Sequence, residues 1–420
     1  MERLLHYVWK YKLYYPELIT SDGKKISVID TGIENSNAGP DFFNAKIKYD
    51  NTVWAGDVEI HDNPSDWLRH KHDKDKAYDS VVLHVVGEAG EAVYRTNGEL
   101  IPQLVLNVPD NVRNNIDYLL GNEQRLPCAS VIKEMDPFIM SSWLCALSIE
   151  RLERKRNDIY NLLERYNNDW NEVFYIILSR NFGFGLNSDA FEQLACSLPM
   201  SYIRRQRNNI AQVEALFFGQ AGMLEDEEDC EYYRHLKREY KFLTQKFGLK
   251  PLDHSRFKSL RTHPINFPHI KLAQLSALWF RYDTLFSNII NASTVNDIRR
   301  LLRISPSGYW ENHYHFKNSS AVKPKPIGEG AINIMIINTV APIMFTYGQK
   351  TNLPEYCERA IRLLERLPAE QNNITRLFSQ AGVTIKSATD SQAIIQLKRE
   401  YCEKKKCLYC RIGFLYLKRK

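Results

Sequence analysis

No run of about 18 consecutive apolar residues occurs in this chain of 420 residues, so no membrane-spanning segment is expected. No cleavable leader is expected either. The opening stretch MERLLHYVWKYKLYY carries charge through its apolar part, lacks a small-residue cleavage site, and reads as an amphipathic helix. No repeat, low-complexity tract or G-x-S-x-G turn is present, which argues against solenoids, disordered scaffolds and nucleophile-elbow hydrolases. Cysteine is scarce, with eight in the whole chain. Without a leader, the expected location is cytoplasmic, where cysteines serve as thiols or metal ligands more often than as disulfides.

What is present is the composition of a soluble globular protein, 44 % hydrophobic and 25 % charged, on a chain long enough for two or three domains. The formal charge of +6 is concentrated at one end. Arg399 to Lys420 holds eight Lys/Arg against two Glu, so the remainder is neutral. Such a tail is an electrostatic footprint for nucleic acid or another polyanion, or else a solvated helix end.

The texture changes along the chain. Up to about Pro109 the pattern is α+β: a helix from Glu2 to Tyr14, a hairpin around Asp22-Gly23, and strands FFNAKIKY and TVWAGDVEIH joined at Asp50-Asn51. A helix start comes next in NPSDWLRHKH, with Ser65 or Asp66 as N-cap. Then come the apolar strand SVVLHVVGE and a further pair turning at Asn97-Gly98. Beyond Pro127, apolar residues recur at three- and four-residue spacing, as in SIERLERKRNDIYNLLERYNNDW, the mark of amphipathic helices. The expected organisation is an α+β domain over 1–125 and a larger, mostly α-helical domain over 126–420. Within the latter, FGQAGML near Gly219 reads as a close helix approach or a turn.

The chemistry-bearing residues gather in the two strands. Alternate strand residues share a face, so Asp57, Glu59 and His61 should point together, and Asp41 opens the neighbouring strand. Carboxylates crowded on one face repel, and a divalent cation relieves that repulsion; a set of oxygen ligands suits Mg²⁺ or Mn²⁺. Such an ion lowers the pKa of a bound water and shields a phosphate, with His61 placed to orient or deprotonate the water. The alternative is an edge strand whose polar face is merely wet. His70 and His72 of DWLRHKHD and His84 of LHVV are candidates to complete a transition-metal site or to contact phosphate, or else surface and core histidines.

Pro40-Asp41 at a strand start, Glu59-Ile60-His61 on the next strand, and the order helix, three strands, helix, strand resemble the PD-(D/E)xK nucleases. The resemblance implies a restriction-endonuclease-like αβββαβ core over the first quarter of the chain, with metal-dependent phosphodiester hydrolysis of DNA or RNA. It further implies Asp41 and Glu59 as metal ligands, Asp57 as an additional one, and Glu2 as the acid on the first helix. His61 stands where those nucleases carry lysine, so a catalytically inactive nucleic-acid- or protein-binding module is the alternative. Over the full length, NAGPDFFNAKI, GDVEIH, SDWLRHKH, FGQAGML, INFPHIKLAQL, INTVAPIMFTYG and YCEKKKCLYCRIG resemble a bacterial family of unknown function.

The tail adds a second candidate centre. YCEKKKCLYCRIG places Cys402, Cys407 and Cys410 at C-x4-C-x2-C, and the C-x2-C pair is a chelating bite for zinc or an iron–sulfur cluster. Cys128 or Cys357 would supply the fourth ligand. An ion there would fix the loop Lys404-Lys405-Lys406 for contact with a phosphate backbone.

Overall fold

In the computed structural model all residues are described except 1, 36–37, 50, 123–125, 227–229, 261, 318 and 420. Of the expected Asp50-Asn51 turn, Asp50 lies outside the described residues. Two compact units emerge, Met1–Asp136 with Arg399–Lys420, and Pro137–Lys398. The first is α+β and the second is helical, as the pattern predicts, but the division falls after Asp136 rather than after position 125, and the tail is placed differently. The tail expected to close the helical domain belongs to the α+β unit.

In the α+β unit, α1 (Glu2–Lys10) buries Leu5, Val8 and Trp9. It ends earlier than the proline at position 16 suggests. Lys12 takes a left-handed conformation (φ 50°), and Leu13 N–H folds back onto the Val8 carbonyl, which stops the helix. Seven strands follow: β1 (Leu18–Ile19), β2 (Lys25–Asp30), β3 (Ile33–Glu34), β4 (Phe42–Tyr49), β5 (Thr52–His61), β6 (Val81–Val86) and β7 (Gln103–Val105). They form one sheet in the order β1-β2-β4-β5-β6-β7, with β3 also paired to β4. β4 runs antiparallel to β5, whereas β5, β6 and β7 are mutually parallel. Every residue of β6 is buried, as a strand covered on both faces requires. Between β5 and β6 the chain forms α2 (Asp66–Arg69) and two single 3₁₀ turns. After β7 come α3 (Asp110–Gly121) and α4 (Ala129–Ile132).

The β4–β5 ladder carries a bulge close to the acidic residues. Phe42 pairs with Val58 but Ala45 with Gly56, so β4 holds one residue more than β5 across this step. Asn44 absorbs it at φ 57°, in the left-handed region.

The helical unit packs around one core, with Phe174, Tyr175, Phe217, Phe218, Trp279 and Trp310 almost wholly buried. Its segment Glu329–Thr351 has the length and hydropathy of a membrane span, although interrupted by polar residues; 67 % of its apolar window is buried, as in a core helix. Gly219, in the helix Ile210–Gln220, lets Tyr240 of the helix Glu231–Phe247 lie directly on the backbone. A Cβ there would meet the ring at 2.1 Å, and Tyr240 Oη donates to Gln220 Oε1 (3.0 Å), which holds the ring in place. Gly219→Ala should therefore destabilise this unit by about 1–3 kcal/mol in denaturant unfolding, reversing the roughly 1 kcal/mol that alanine gains in an open helix.

Lys271 is 4 % exposed, with Nζ 3.3 Å from Gln274 Oε1 and above the Phe184 ring. Burial lowers its pKa from 10.5 to about 8. Below about pH 8 the full cost of a buried charge is present. From there to 10.5 the folded state holds fewer protons than the unfolded state, so this residue makes stability rise with pH. Lys271→Met should abolish that component, seen by comparing the unfolding of both proteins on either side of the window.

Candidate metal centre

Asp41 and Glu59 face each other across the β4–β5 ladder and are tied by a reciprocal exchange. Asp41 N–H donates to Glu59 Oε2 (3.0 Å), and Ile60 N–H donates to Asp41 Oδ2 (2.9 Å). The β4 bulge sets this register. Its extra residue is held by Asp57, whose Oδ1 accepts from Asn44 N–H (3.0 Å) and whose Oδ2 accepts from Ser80 Oγ (2.6 Å). A register shift between Asp57 and Val58 on the β6 side separates Asp57 further from the next two acidic and basic positions. Both Asp57 oxygens are thus engaged in holding the strands.

Glu59 and His61 are 5 % and 2 % exposed and point into a cluster of imidazoles. Glu59 Oε1 lies 3.4 Å from His61 Nε2 and 3.3 Å from His72 Nε2, while His70 Nδ1 lies 3.3 Å from His61 Nε2. Ligand atoms of His61, His70 and His72 all fall within 4.8 Å of one another. Donors that share one ion at about 2.0–2.1 Å sit roughly 2.9–3.4 Å apart when adjacent, so these spacings fit a common cation.

The supports are local. α2 presents His70 at its C-cap, and Lys71 in the left-handed region (φ 64°) turns the chain so that His72 swings inward. His72 stacks on Tyr78 at 3.7 Å and lies edge-on to the fully buried Trp67. His84, on β6 in register with Glu59, places Nε2 2.9 Å from His61 Nδ1, and Gln103 Nε2 lies 3.5 Å from His84 Nδ1. A ring nitrogen fixed in this way frees the other, His61 Nε2, to face the cluster.

Electrostatics mark the same place. Burial, then the Glu59 charge, push the Asp41 carboxyl up to about 7, against the opposing pull of His6 and the Ile60 N–H. Burial, then the neighbouring imidazoles, push His61 down to about 2, and burial with His72 pushes His84 to about 3. Both histidines are neutral, the form that binds metal. With three N donors beside a carboxylate, the set suits Mn²⁺, Zn²⁺ or Fe²⁺; of the two ions expected from the strand pattern, Mn²⁺ tolerates imidazole better than Mg²⁺.

Of the remaining expected residues, Glu2 reaches the site through a residue the pattern did not single out. His6 Nε2 lies 3.4 Å from Asp41 Oδ2 and 3.9 Å from Glu2 Oε1. Its signal was the four-residue spacing from Glu2 on an amphipathic helix. Lys404 Nζ pairs with Glu400 (2.5 Å), and Lys405 Nζ donates to the Asn122 carbonyl (2.6 Å), so both have partners within the unit.

These observations define an α+β unit whose mixed sheet presents a histidine–carboxylate centre. The chain belongs to the family described as protein of unknown function (DUF2851), whose model matches residues 2–373. No curated protein and no solved structure matches it.

The bulge role of Asp57 is open to test. Asp57→Ala should cost about 1–3 kcal/mol in denaturant unfolding through two lost hydrogen bonds, whereas Asp57→Asn, which keeps an acceptor toward Asn44 N–H, should cost about 1 kcal/mol or less.

Proposed function

We propose that the α+β unit is a metal-dependent phosphodiesterase of nuclease type, acting on nucleic acid from the centre formed by Asp41, Glu59, His61, His70 and His72. The observation that carries this reading is the position of Glu59 Oε1, 3.4 Å from His61 Nε2 and 3.3 Å from His72 Nε2 on a strand whose neighbour offers Asp41. With the two-residue strands β1 and β3 set aside, the order α1, β2, β4, β5, α2, β6 supports it, since it is similar to the helix, three strands, helix, strand succession of the restriction-endonuclease-like core.

A divalent ion at this centre would lower the pKa of water and neutralise phosphate charge. The protein's own groups do the rest. Glu59, His61, His70 and His72 would hold the ion. His84 and Gln103 fix the His61 ring from behind. Asp41, tied to Glu59 across the ladder, faces the site at 23 % side-chain exposure, so it is placed as the group that takes a proton from the attacking water. His61 is thereby a ligand rather than a substitute for lysine. His70, exposed, marks the side from which substrate enters.

The test is cleavage of single- and double-stranded DNA and RNA by the full chain with Mn²⁺, Zn²⁺ or Mg²⁺. Cleavage should be strongest with Mn²⁺ or Zn²⁺ and fall by about 100-fold or more in Asp41→Asn, Glu59→Gln and His72→Ala. Equal cleavage by the variants overturns the assignment. Binding of the same nucleic acids without cleavage under any metal would instead identify a binding module on this fold.

A further inference from the structure

A cleft opens along one face of α1. Arg3, His6, Tyr7 and Lys10 recur at three- and four-residue spacing and line it together, and Tyr11 follows four residues after Tyr7. Glu34 of β3 and Tyr409 of the tail line it as well. His6 joins the cleft to the strand centre, since its Nε2 lies 3.4 Å from Asp41 Oδ2.

Specific bonds seat the tail there. Asn111 Nδ2 and Asn115 Nδ2 each donate to the Arg419 carbonyl at 3.1 Å, and Lys405 Nζ donates to the Asn122 carbonyl at 2.6 Å. The Phe414 ring lies 4.9 Å from Tyr11 and 6.4 Å from Tyr7, so the tail packs on the helix face that carries the cleft. The cysteine spacing does not turn this docking into a metal site. Among the described residues, only His61, His70 and His72 bring ligand atoms close enough to share an ion, and Cys357 sits in the helical unit.

The groups lining the cleft select its occupant. Arg3 is exposed, and its guanidinium makes no hydrogen bond or ion pair among the described residues. Lys10 Nζ lies 2.6 Å from Glu34 Oε2, so these two charges offset each other and Arg3 leaves an excess of one positive charge among the three. Tyr7 is 6 % exposed, and its buried Oη has no hydrogen-bond partner among the described residues. A phosphate oxygen meets both needs: the guanidinium fork matches it, and the phenol donates to it. The cleft encloses about 50 Å³, the space of a few water molecules. That admits a phosphate group and leaves a nucleobase outside, where the Tyr409 ring is 60 % exposed.

We propose, building on the phosphodiesterase reading, that this cleft seats a phosphate of single-stranded nucleic acid next to the one at the metal centre, with an unpaired base stacked on Tyr409. Stacking on an exposed ring needs a base freed from its partner strand, so the cleft selects single strands over duplex. A phosphate contact reads no sequence, and the selection is for strandedness rather than base order.

The experiment is fluorescence anisotropy of labelled single-stranded DNA and RNA and the matching duplexes, titrated with the full chain in EDTA so that nothing is cleaved. The unaltered chain should hold single strands about 10-fold or more tighter than duplexes. Tyr409→Ala should weaken single-strand binding about 10-fold, while Tyr409→Phe keeps it. Arg3→Ala should weaken it by a similar factor and flatten the slope of log K against log salt by about 0.7, the share of one phosphate contact on a single strand. Phe242→Ala, which removes an exposed ring of the helical unit, should leave binding unchanged. Equal affinity for duplex, or Arg3→Ala and Tyr409→Ala chains that bind like the unaltered one, overturns the proposal. Cleavage assays with Mn²⁺ on the same samples separate the two readings. Cleavage with binding unchanged in both variants removes the cleft and leaves the phosphodiesterase. Binding that needs Arg3 and Tyr409, without cleavage under any metal, removes the phosphodiesterase and leaves the cleft.

Discussion

The reciprocal exchange between Asp41 and Glu59 is the constraint on which the α+β unit's chemistry depends. Each carboxylate accepts a backbone N–H from the partner strand, so the side chains that would repel one another are also what fixes the ladder. This works only because β4 carries an extra residue. Without the bulge, Asp41 would shift by one position against β5, and an acid that now meets Glu59 would turn to the other face. Asp57 belongs to the same device from the other end, since it holds Asn44 in its left-handed conformation. Three acidic residues that look equivalent in sequence therefore divide into one that builds the strand geometry and two that it brings together.

Much of this was legible in the residues, and the rest was hidden for definite reasons. Strand periodicity located β4, β5 and β6 and put Asp41 beside Glu59, because a buried face leaves only one workable register. The bulge carries no sequence signal of its own: Asn44 sits among FFNAKIKY without a glycine or proline to announce it. For that reason Asp57 reads as a third ligand along the strand, although its oxygens are taken by Asn44 N–H and Ser80 Oγ. His72 is exposed by any helical reading of DWLRHKHD. It turns inward because Lys71 adopts a left-handed conformation, which ends α2 after one turn. The first helix stops at Lys10 by the same kind of break, at Lys12, and not at the more conspicuous Pro16. The tail's place with the α+β unit had no signal in the sequence pattern, since its docking rests on main-chain carbonyls accepting from Asn111, Asn115 and Lys405, a pattern no composition reveals.

The strand centre and the tail of this unit meet one electrostatic problem in opposite ways. In the strand centre, carboxylates are buried beside imidazoles that burial keeps neutral, so the polypeptide supplies negative charge and lone pairs but almost no compensating cation. An Asp41 carboxyl pushed up to about 7 is the visible consequence: the folded chain favours holding a proton there over leaving the pair of acids unscreened. In the tail, the cations are supplied by the sequence itself, in the lysines between the cysteines, and burial pushes Cys128 and Cys407 toward the neutral thiol. The first arrangement leaves a carboxyl of raised pKa and an exposed histidine at its edge. The second brings thiols from two distant segments into one unit, where Asn111 and Asn115 hold the Arg419 carbonyl.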